Sequence, residues 1–169
     1  MGVTKYNGLF QFYGDLVLRQ ILRFSNIENR VKILDFGCGN RRLELVGKNF
    51  PNLEIIGFDI EKSLSQISNW ENQTFQVFVA NHVLMYLEKE EIVRICQKLR
   101  KKQELSRIII GIGTQGILSR VLKTVLLRPN AHEGTKTTLK QQVQILENFF
   151  SRQETKNIFI LTRIYVYEI

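Results

Sequence analysis

Residue types that often stabilise small secreted or metal-dependent domains are scarce in this sequence. Its 169 residues include two cysteines, two histidines and two prolines. Cys38 and Cys96 lie far apart and match no metal-ligand spacing, and His82 and His132 add no plausible cluster to them, so we expect no metal site. Sparse and unpaired cysteine is typical of proteins kept in a reducing compartment.

Long apolar runs are also missing. No stretch approaches the ~20 apolar residues that a transmembrane helix requires. The N-terminal residues lack the basic, apolar and small-residue order of a signal peptide. We therefore expect a soluble, cytoplasmic protein without a transmembrane segment. Because 44% of the residues are hydrophobic and no repeat or linker-like tract interrupts the chain, we expect a single domain over residues 1–169, with residues 1–30 as an N-terminal helical cap. The sequence does not indicate an oligomeric state.

Positive charge exceeds negative charge, and the net charge is +8. Basic residues cluster within residues 98–107 and again within residues 120–128. A basic surface favours anionic partners, which include nucleic acid, acidic lipid and acidic small molecules. The alternative interpretation is an ordinary solvated helix face in a basic protein.

Apolar segments of strand length alternate with segments of helical periodicity. Strands are predicted at residues 31–35, 53–59, 75–80, 108–112, 157–161 and 163–169. Helices are predicted at residues 9–23, from 41 to about 50, and at 61–70, 88–102, 117–127 and 138–150. This alternation favours an α/β protein with a doubly wound, mostly parallel sheet and helices on both faces. The short link between the last two strands requires a C-terminal antiparallel hairpin.

The strongest motif lies in residues 31–40, where an apolar strand ends in Asp35 and a glycine turn precedes a predicted helix. Gly37 and Gly39 have no Cβ, so the backbone there can closely approach a ligand. The carboxyl ends of parallel strands form a crevice for such a ligand. The order of strand, turn and helix favours a ligand site over an ordinary capped turn, with Asp35 holding a cationic or hydroxylated group.

A second acid, Asp59, ends the next predicted strand. An acid at this position is placed to accept hydrogen bonds from two ribose hydroxyls. The alternative is a cap for a helix that starts at Glu61. Because Asp35 and Asp59 are expected at neighbouring strand ends, we favour ribose binding.

These segments together resemble the nucleotide-binding half of class I S-adenosylmethionine-dependent methyltransferases. The similarity includes the glycine motif, Asp59, a fourth-strand motif at residues 75–87, a fifth strand at residues 108–112 and the closing hairpin. The resemblance implies a Rossmann-like sheet and S-adenosylmethionine as the cofactor. It further implies that Gly37, Cys38 and Gly39 pass beneath the methionine part of the cofactor, that Asp35 holds its amino group and that Asp59 holds its ribose.

Residues near the transferred methyl group are implied in the same way. Asn81 would lie beside the methionine end of the cofactor with His82 adjacent, although His82 at a helix start is also typical of a packed residue. His132 lies in a polar loop and is the candidate general base, because its ordinary pKa of about 6.5 suits proton transfer; a surface histidine without a role is the alternative. Tyr6, Tyr13 and Tyr86 are candidates for an acceptor pocket, although aromatic residues at helical spacing more often belong to a core.

The chain departs from the family pattern at two places. Arg41 stands where the family often has a third glycine, so its side chain must turn outward or narrow the cleft. Residues 60–74, between Asp59 and Phe75, suffice for one helix but not for an additional strand with an adenine-contacting acid. We therefore expect a sheet that lacks this strand, and an adenine pocket that is open or lined by a helix around residues 64–70.

A second glycine pattern, G-x-G-x-x-G at residues 111–116, also follows a strand. No later strand ends in an acid at the spacing that a dinucleotide ribose requires, so this match favours a flexible turn.

The sequence therefore predicts a methyltransferase that acts on a small-molecule or lipid acceptor by in-line methyl transfer, and its basic charge favours an anionic acceptor. One alternative is a degenerate methyltransferase fold that serves as a non-catalytic binding module, which Arg41 and the missing strand suggest. Another alternative is an RNA-directed methyltransferase. Net charge alone suggests it, and no nucleic-acid-binding motif supports it.

Overall fold

The computed structural model describes residues 9–25, 30–114, 134–159 and 161–169. The helices in this part of the chain are α1 (Leu9–Ser25), α2 (Arg42–Gly47), α3 (Lys89–Leu99) and α4 (Leu139–Glu147). The strands are β1 (Val31–Phe36), β2 (Leu53–Phe58), β3 (Val77–Asn81), β4 (Arg107–Gly113), β5 (Ser151–Ile158) and β6 (Thr162–Glu168). Short 3-10 helices lie at Trp70–Asn72 and Leu84–Tyr86.

The strands form one six-stranded sheet in the order β2-β1-β3-β4-β6-β5. Strands β1 to β4 are parallel, and β6 runs antiparallel between β4 and β5. The β5–β6 turn therefore lies at the same edge of the sheet as the carboxyl ends of the four parallel strands, where Gly113 of β4 pairs with Thr162 of β6. We call this edge the carboxyl edge. The mostly parallel sheet and the C-terminal hairpin are confirmed.

Each face of the sheet carries its own apolar core. Neighbouring residues of β1 alternate between them: Leu34 packs with Ile92 of α3 and Leu146 of α4, whereas Ile33 packs with α1 and α2 on the other face. Because β1 is covered on both faces, its sequence is nearly continuously apolar. Full burial of each large aliphatic side chain stabilises the fold by roughly 1.5–3 kcal/mol. Helices on both faces are therefore confirmed.

Helices α3 and α4 begin close to the positions that the sequence predicts. Both have a capping box: Glu88 with Glu91 at α3, and Thr138 with Gln141 at α4. In each box the two side chains accept hydrogen bonds from backbone amides that the first helical turn leaves unpaired.

The predicted helix at residues 61–70 is wrong. This segment consists of turns and bends before the 3-10 helix at Trp70. Its polar side chains bond to backbone instead, which competes with helix formation. Gln66 Oε1 accepts from the Gly57 amide at 2.6 Å, the Gln66 amide donates to the Gly57 carbonyl at 3.0 Å, and Ser65 Oγ accepts from the Asp59 amide at 3.1 Å.

This segment therefore occupies the outer edge of β2. Its side-chain and backbone groups form hydrogen bonds with backbone groups of Gly57 and Asp59, on the side of β2 that has no neighbouring strand. Within residues 30–114, no strand lies outside β2. The absence of the family's additional strand is confirmed, but no helix around residues 64–70 is present to line an adenine pocket.

Strand β5 begins six residues earlier than predicted, at Ser151 rather than Asn157. Its residues 151–157 are all exposed, so they lack the apolar alternation on which the prediction depended. The predicted helix at residues 117–127 lies outside the described residues. None of the described helices is long and apolar enough to cross a membrane.

Candidate functional site

The glycine turn after β1 lies at the carboxyl edge. Gly37 adopts a φ of 78° and Gly39 a φ of 48°, a region that residues with a Cβ rarely enter. A Cβ on Gly37 would lie 2.3 Å from Val83 Cγ2, whereas a Cβ on Gly39 would meet no atom of the described residues within 4 Å. Gly37 is therefore required for packing against the chain after β3, and no described residue packs against Gly39 in this way.

Arg41, where the resemblance led us to expect a third glycine, adopts a left-handed conformation, with a φ of 54°. This conformation costs a residue with a Cβ roughly 1–2 kcal/mol. The Arg41 side chain is 51% exposed and lies 4.0 Å from Glu44. It turns outward, which was one of the two outcomes expected from the sequence, and leaves the turn open.

An ion pair connects the first residue of α2, directly after this turn, to α1. Arg42 donates two hydrogen bonds to the Asp15 carboxylate, at 2.8 Å from Nε and 2.7 Å from a terminal nitrogen. A bidentate pair of this kind fixes orientation as well as distance. The N-terminal helix is thus attached beside the glycine turn.

Asp59 connects the end of β2 to the glycine turn. Its Oδ2 accepts a hydrogen bond from the Gly39 amide at 2.9 Å, and its Oδ1 accepts from the Glu61 amide at 3.0 Å. The capping alternative is therefore present only as a local turn, because no helix starts at Glu61. The two strand ends meet, as predicted for Asp35 and Asp59.

Asp35 lies beneath this turn and is only 6% exposed. Burial, together with the negative charges of Asp59 and Glu44, raises the pKa of Asp35 to about 7. Within the described ranges, no basic side chain forms an ion pair with it. A buried carboxyl group in an acidic environment gains electrostatic stabilisation when a cation binds beside it.

The Cys38 amide donates to the Phe58 carbonyl at 3.1 Å, which connects the glycine turn to the end of β2. The Cys38 side chain is buried, and its Sγ lies 3.6 Å from the Leu64 carbonyl oxygen. Burial and the nearby acids Asp35 and Asp59 raise the pKa of the Cys38 thiol to about 12. The group therefore stays a neutral thiol at physiological pH.

Asn81 and His82 lie at the carboxyl end of β3. Asn81 Oδ1 is buried and has no hydrogen-bond partner among the described residues. A Cβ on Gly111 would lie 2.1 Å from this oxygen, so the first glycine of the second glycine pattern makes room for Asn81. Buried carbonyl oxygens without a partner are uncommon and indicate a missing donor.

His82 has a φ of 57° and donates its amide to the Gly111 carbonyl at 2.8 Å. Its Nε2 lies 3.2 Å from Thr162 Oγ1. The following 3-10 helix begins at Leu84, so His82 is not part of a helix start. Instead its side chain extends across the sheet from β3 to β6.

Two residues at this edge were not identified from sequence. Ile60 follows Asp59 and is 89% exposed; an apolar residue directly after a strand-terminal acid was its only signal. Thr162 is buried at the start of β6, and no local motif marks it. His132 and Tyr6 lie outside the described residues.

Searches against protein-family models and against curated proteins find no match. Solved structures do match. The pyocyanin biosynthetic protein PhzM aligns with a TM-score of 0.72 at 15% identity, covering 92% of this chain and 55% of PhzM. Magnesium protoporphyrin IX methyltransferase (ChlM) from Synechocystis PCC 6803, crystallised with bound S-adenosylhomocysteine (SAH), aligns with a TM-score of 0.60 at 17% identity, covering 99% and 90%.

The small RNA methyltransferase HEN1 aligns with a TM-score of 0.70 at 14% identity, covering 99% of this chain and 27% of HEN1. The chain thus spans about half of PhzM and about a quarter of HEN1, but most of ChlM. The TM-scores of 0.60 to 0.72 show a shared fold despite 14–17% identity. The chain has the class I S-adenosylmethionine-dependent methyltransferase fold.

Proposed function

We propose that this protein binds S-adenosylmethionine at the carboxyl edge and transfers its methyl group to an acceptor. One observation carries this proposal: the buried carboxyl group of Asp35 has no cationic partner among the described residues, and the negative charge of Asp59 at the end of the neighbouring strand acts on it. The cofactor has a positively charged amino group and a positively charged sulfur, so it is complementary to this acidic environment.

The surrounding residues fit the other parts of the cofactor. No atom of the described residues lies within 4 Å of a Cβ at Gly39, which leaves room for the methionine chain, and Asp59 is placed to accept hydrogen bonds from ribose hydroxyls. The exposed side chain of Ile60 offers an apolar surface to the adenine ring. Asn81 Oδ1 lacks a donor among the described residues, which the amino group of the cofactor would supply.

When bound, S-adenosylmethionine supplies an electrophilic methyl group on a sulfur that is already a good leaving group. The residues of this chain therefore contribute mainly by holding the cofactor and the acceptor in line. The acceptor we propose is a small molecule or a lipid. The net charge of +8 favours an anionic acceptor. Coverage of most of ChlM, a methyltransferase named for magnesium protoporphyrin IX, supports a small acceptor. His132 is the general base proposed from sequence.

Calorimetric titration with S-adenosylmethionine and SAH tests the proposal. Wild-type protein should bind both, and Asp59→Ala should weaken binding at least tenfold because the ribose and the glycine turn lose their shared acceptor. Glu54→Ala is the matched control, since Glu54 lies on the same strand but forms exposed ion pairs at its opposite end. Its affinity should equal that of wild type.

Failure of the folded wild-type protein to bind either ligand would exclude the proposed cofactor. Binding without methylation of any acceptor in a broad screen of acidic small molecules, lipids and RNA would favour the binding module instead.

A further inference from the structure

The first glycine of the pattern at residues 111–116 leaves a gap on β4 that a side chain of β3 fills. A Cβ on Gly111 would lie 2.1 Å from Asn81 Oδ1 and 3.1 Å from Asn81 Cγ. The amide group of Asn81 therefore lies where a side chain at position 111 would be. Because Asn81 pairs with Gly111 across β3 and β4, its side chain extends sideways over its own partner in the sheet.

Space, and not backbone conformation, requires glycine at position 111. Gly111 does not have the positive φ of Gly37 and Gly39, so a residue with a Cβ could adopt its backbone. A Cβ on Gly113, two residues further along β4, would lie 3.4 Å from its nearest contacts in the His82 ring, which is close to an ordinary van der Waals distance. The steric demand on this part of β4 therefore falls on Gly111 and concerns the Asn81 side chain.

The Asn81 amide lies beside the glycine turn. Val79 of β3 pairs with Asp35 of β1, and side chains two residues apart on a strand point to the same face of the sheet. Asn81 is therefore on the same face as Asp35 and nearer to the carboxyl edge. Val83, two residues further along the chain, packs against the turn at Gly37. The gap at Gly111 thus places the Asn81 amide next to the proposed cofactor site.

Asn81 Oδ1 is buried and accepts no hydrogen bond from any described residue. Burial of a carbonyl oxygen without a donor is unfavourable, and a donor on a ligand removes this cost. We propose that Gly111 is a positioning residue that keeps Asn81 Oδ1 over β4, where this oxygen and Asp35 together hold the positively charged amino group of the cofactor. This inference rests on the proposed binding of S-adenosylmethionine.

Calorimetric titration with SAH, which carries the same amino group, tests the role of Gly111. Asn81→Ala removes the acceptor and should weaken SAH binding roughly tenfold or more, because hydrogen bonds to charged groups are among the stronger ones. Gly111→Ala should weaken binding by a similar factor, since the new Cβ displaces Oδ1. Circular dichroism should report a folded protein in both variants, because the displaced atoms are at the end of a flexible side chain.

Gly47→Ala is the matched control for steric strain. A Cβ on Gly47, the last residue of α2, would lie 2.4 Å from Ile55 Cδ1, so the clash is similar but involves neither Asn81 nor the glycine turn. SAH should bind Gly47→Ala and wild-type protein with equal affinity. An equal loss of affinity in Gly47→Ala and Gly111→Ala would refute the proposal, because strain anywhere in the fold would then explain both.

The double variant separates positioning from a direct effect of the added methyl group. Once Asn81 is truncated to alanine, Oδ1 and Cγ are gone, and a Cβ at position 111 would lie 3.5 Å from the Cα of residue 81. Gly111→Ala should therefore cause no further loss of SAH affinity in an Asn81→Ala background. Losses that add in the double variant would show that Gly111 acts independently of Asn81, and would overturn the inference.

Nitrogen-15 NMR of the side-chain amides gives a readout that does not depend on affinity. The Asn81 signals are identified by their absence from the spectrum of Asn81→Ala. Gly111→Ala should move these signals in the free protein, and SAH should shift them in wild-type protein. Unchanged Asn81 signals in Gly111→Ala, or on saturation of wild-type protein with SAH, would contradict the proposal.

The same titrations distinguish failure of this inference from failure of the proposed function. If SAH binds wild-type protein and Asn81→Ala with equal affinity, Asn81 does not hold the amino group, and the inference fails while the proposed function stands. If SAH does not bind the folded wild-type protein, the proposed function fails and the role of Gly111 fails with it.

Discussion

The two halves of the carboxyl edge are built in different ways. The half formed by β1 and β2 is acidic and strained: Asp35 and Asp59 lie at adjacent strand ends, and Arg41 adopts a left-handed backbone within the turn. In the half formed by β3, β4 and β6, hydrogen bonds join His82 to Thr162 and the Tyr13 hydroxyl to the Ile158 carbonyl, and His82 also has a left-handed backbone. The first half therefore differs in its buried negative charge, whereas the second half orients the His82 side chain.

The two halves also differ in how far apart in the sequence their contacting residues lie. In the first half, the turn comes from consecutive residues. In the second half, the residues that meet are 80 positions apart for His82 with Thr162 and 145 for Tyr13 with Ile158. Substitutions in the first half should therefore change turn strain and charge, and those in the second half should change the orientation of His82.

The largest expected effect is that of Gly37→Ala. The new Cβ would lie 2.3 Å from Val83 Cγ2, in a backbone with a φ of 78°, so clash and strain add. We expect a loss of about 2–4 kcal/mol in the free energy of unfolding, measured by urea denaturation.

Gly39→Ala is the matched control, because Gly39 has a positive φ but no atom of the described residues lies within 4 Å of the added Cβ. It should lose only about 1 kcal/mol. Equal losses in the two variants would contradict the difference in packing between Gly37 and Gly39.

A smaller effect is expected from Asp35→Asn. The pKa of Asp35 in the fold is raised to about 7, above its usual value, so the folded state loses stability as the pH rises towards and through about 7. An amide has no charge to bury. Relative to wild type, Asp35→Asn should be more stable at pH 8 than at pH 5 by about 2 kcal/mol, measured by urea denaturation at both pH values.

Glu54→Gln, on the exposed part of β2, is the control for this pH dependence and should show almost none. A wild-type free energy of unfolding that is independent of pH between 5 and 8 would mean that the fold does not raise the pKa of Asp35.

The smallest effect is expected from Arg41→Gly. Glycine accepts the φ of 54° without strain, and the lost ion pair with Glu44 is exposed and long at 4.0 Å, so it contributes little. Relief of strain should outweigh the greater freedom of glycine in the unfolded chain, and we expect a gain of about 0.5 kcal/mol in the free energy of unfolding. Thermal denaturation would measure it; a clear loss would indicate that the Arg41 side chain stabilises the turn.

Much of the first half was predictable from the sequence. The apolar run of β1, Asp35 near its end and the glycine turn follow one another directly, and short-range sterics decide their conformation. The missing strand outside β2 was also predictable, because the number of residues between Asp59 and Phe75 limits what they can form.

The prediction was wrong where tertiary contacts replace local preference. Residues 61–70 were expected to be helical, but Gln66 and Ser65 hydrogen-bond the edge of β2 instead. The start of β5 was predicted too far along the chain, because its exposed residues show no apolar alternation. Pairing with β6 determines where β5 begins.

The sequence by itself determined the order of the strands, the glycine turn and the acids at two strand ends, because periodicity, chain length and backbone sterics act over neighbouring residues. Only the tertiary structure decided the left-handed conformations of Arg41 and His82, the raised pKa of Asp35 and the hydrogen bond between His82 and Thr162. These depend on burial and on hydrogen bonds between residues that are distant in the chain, and local sequence does not encode either one.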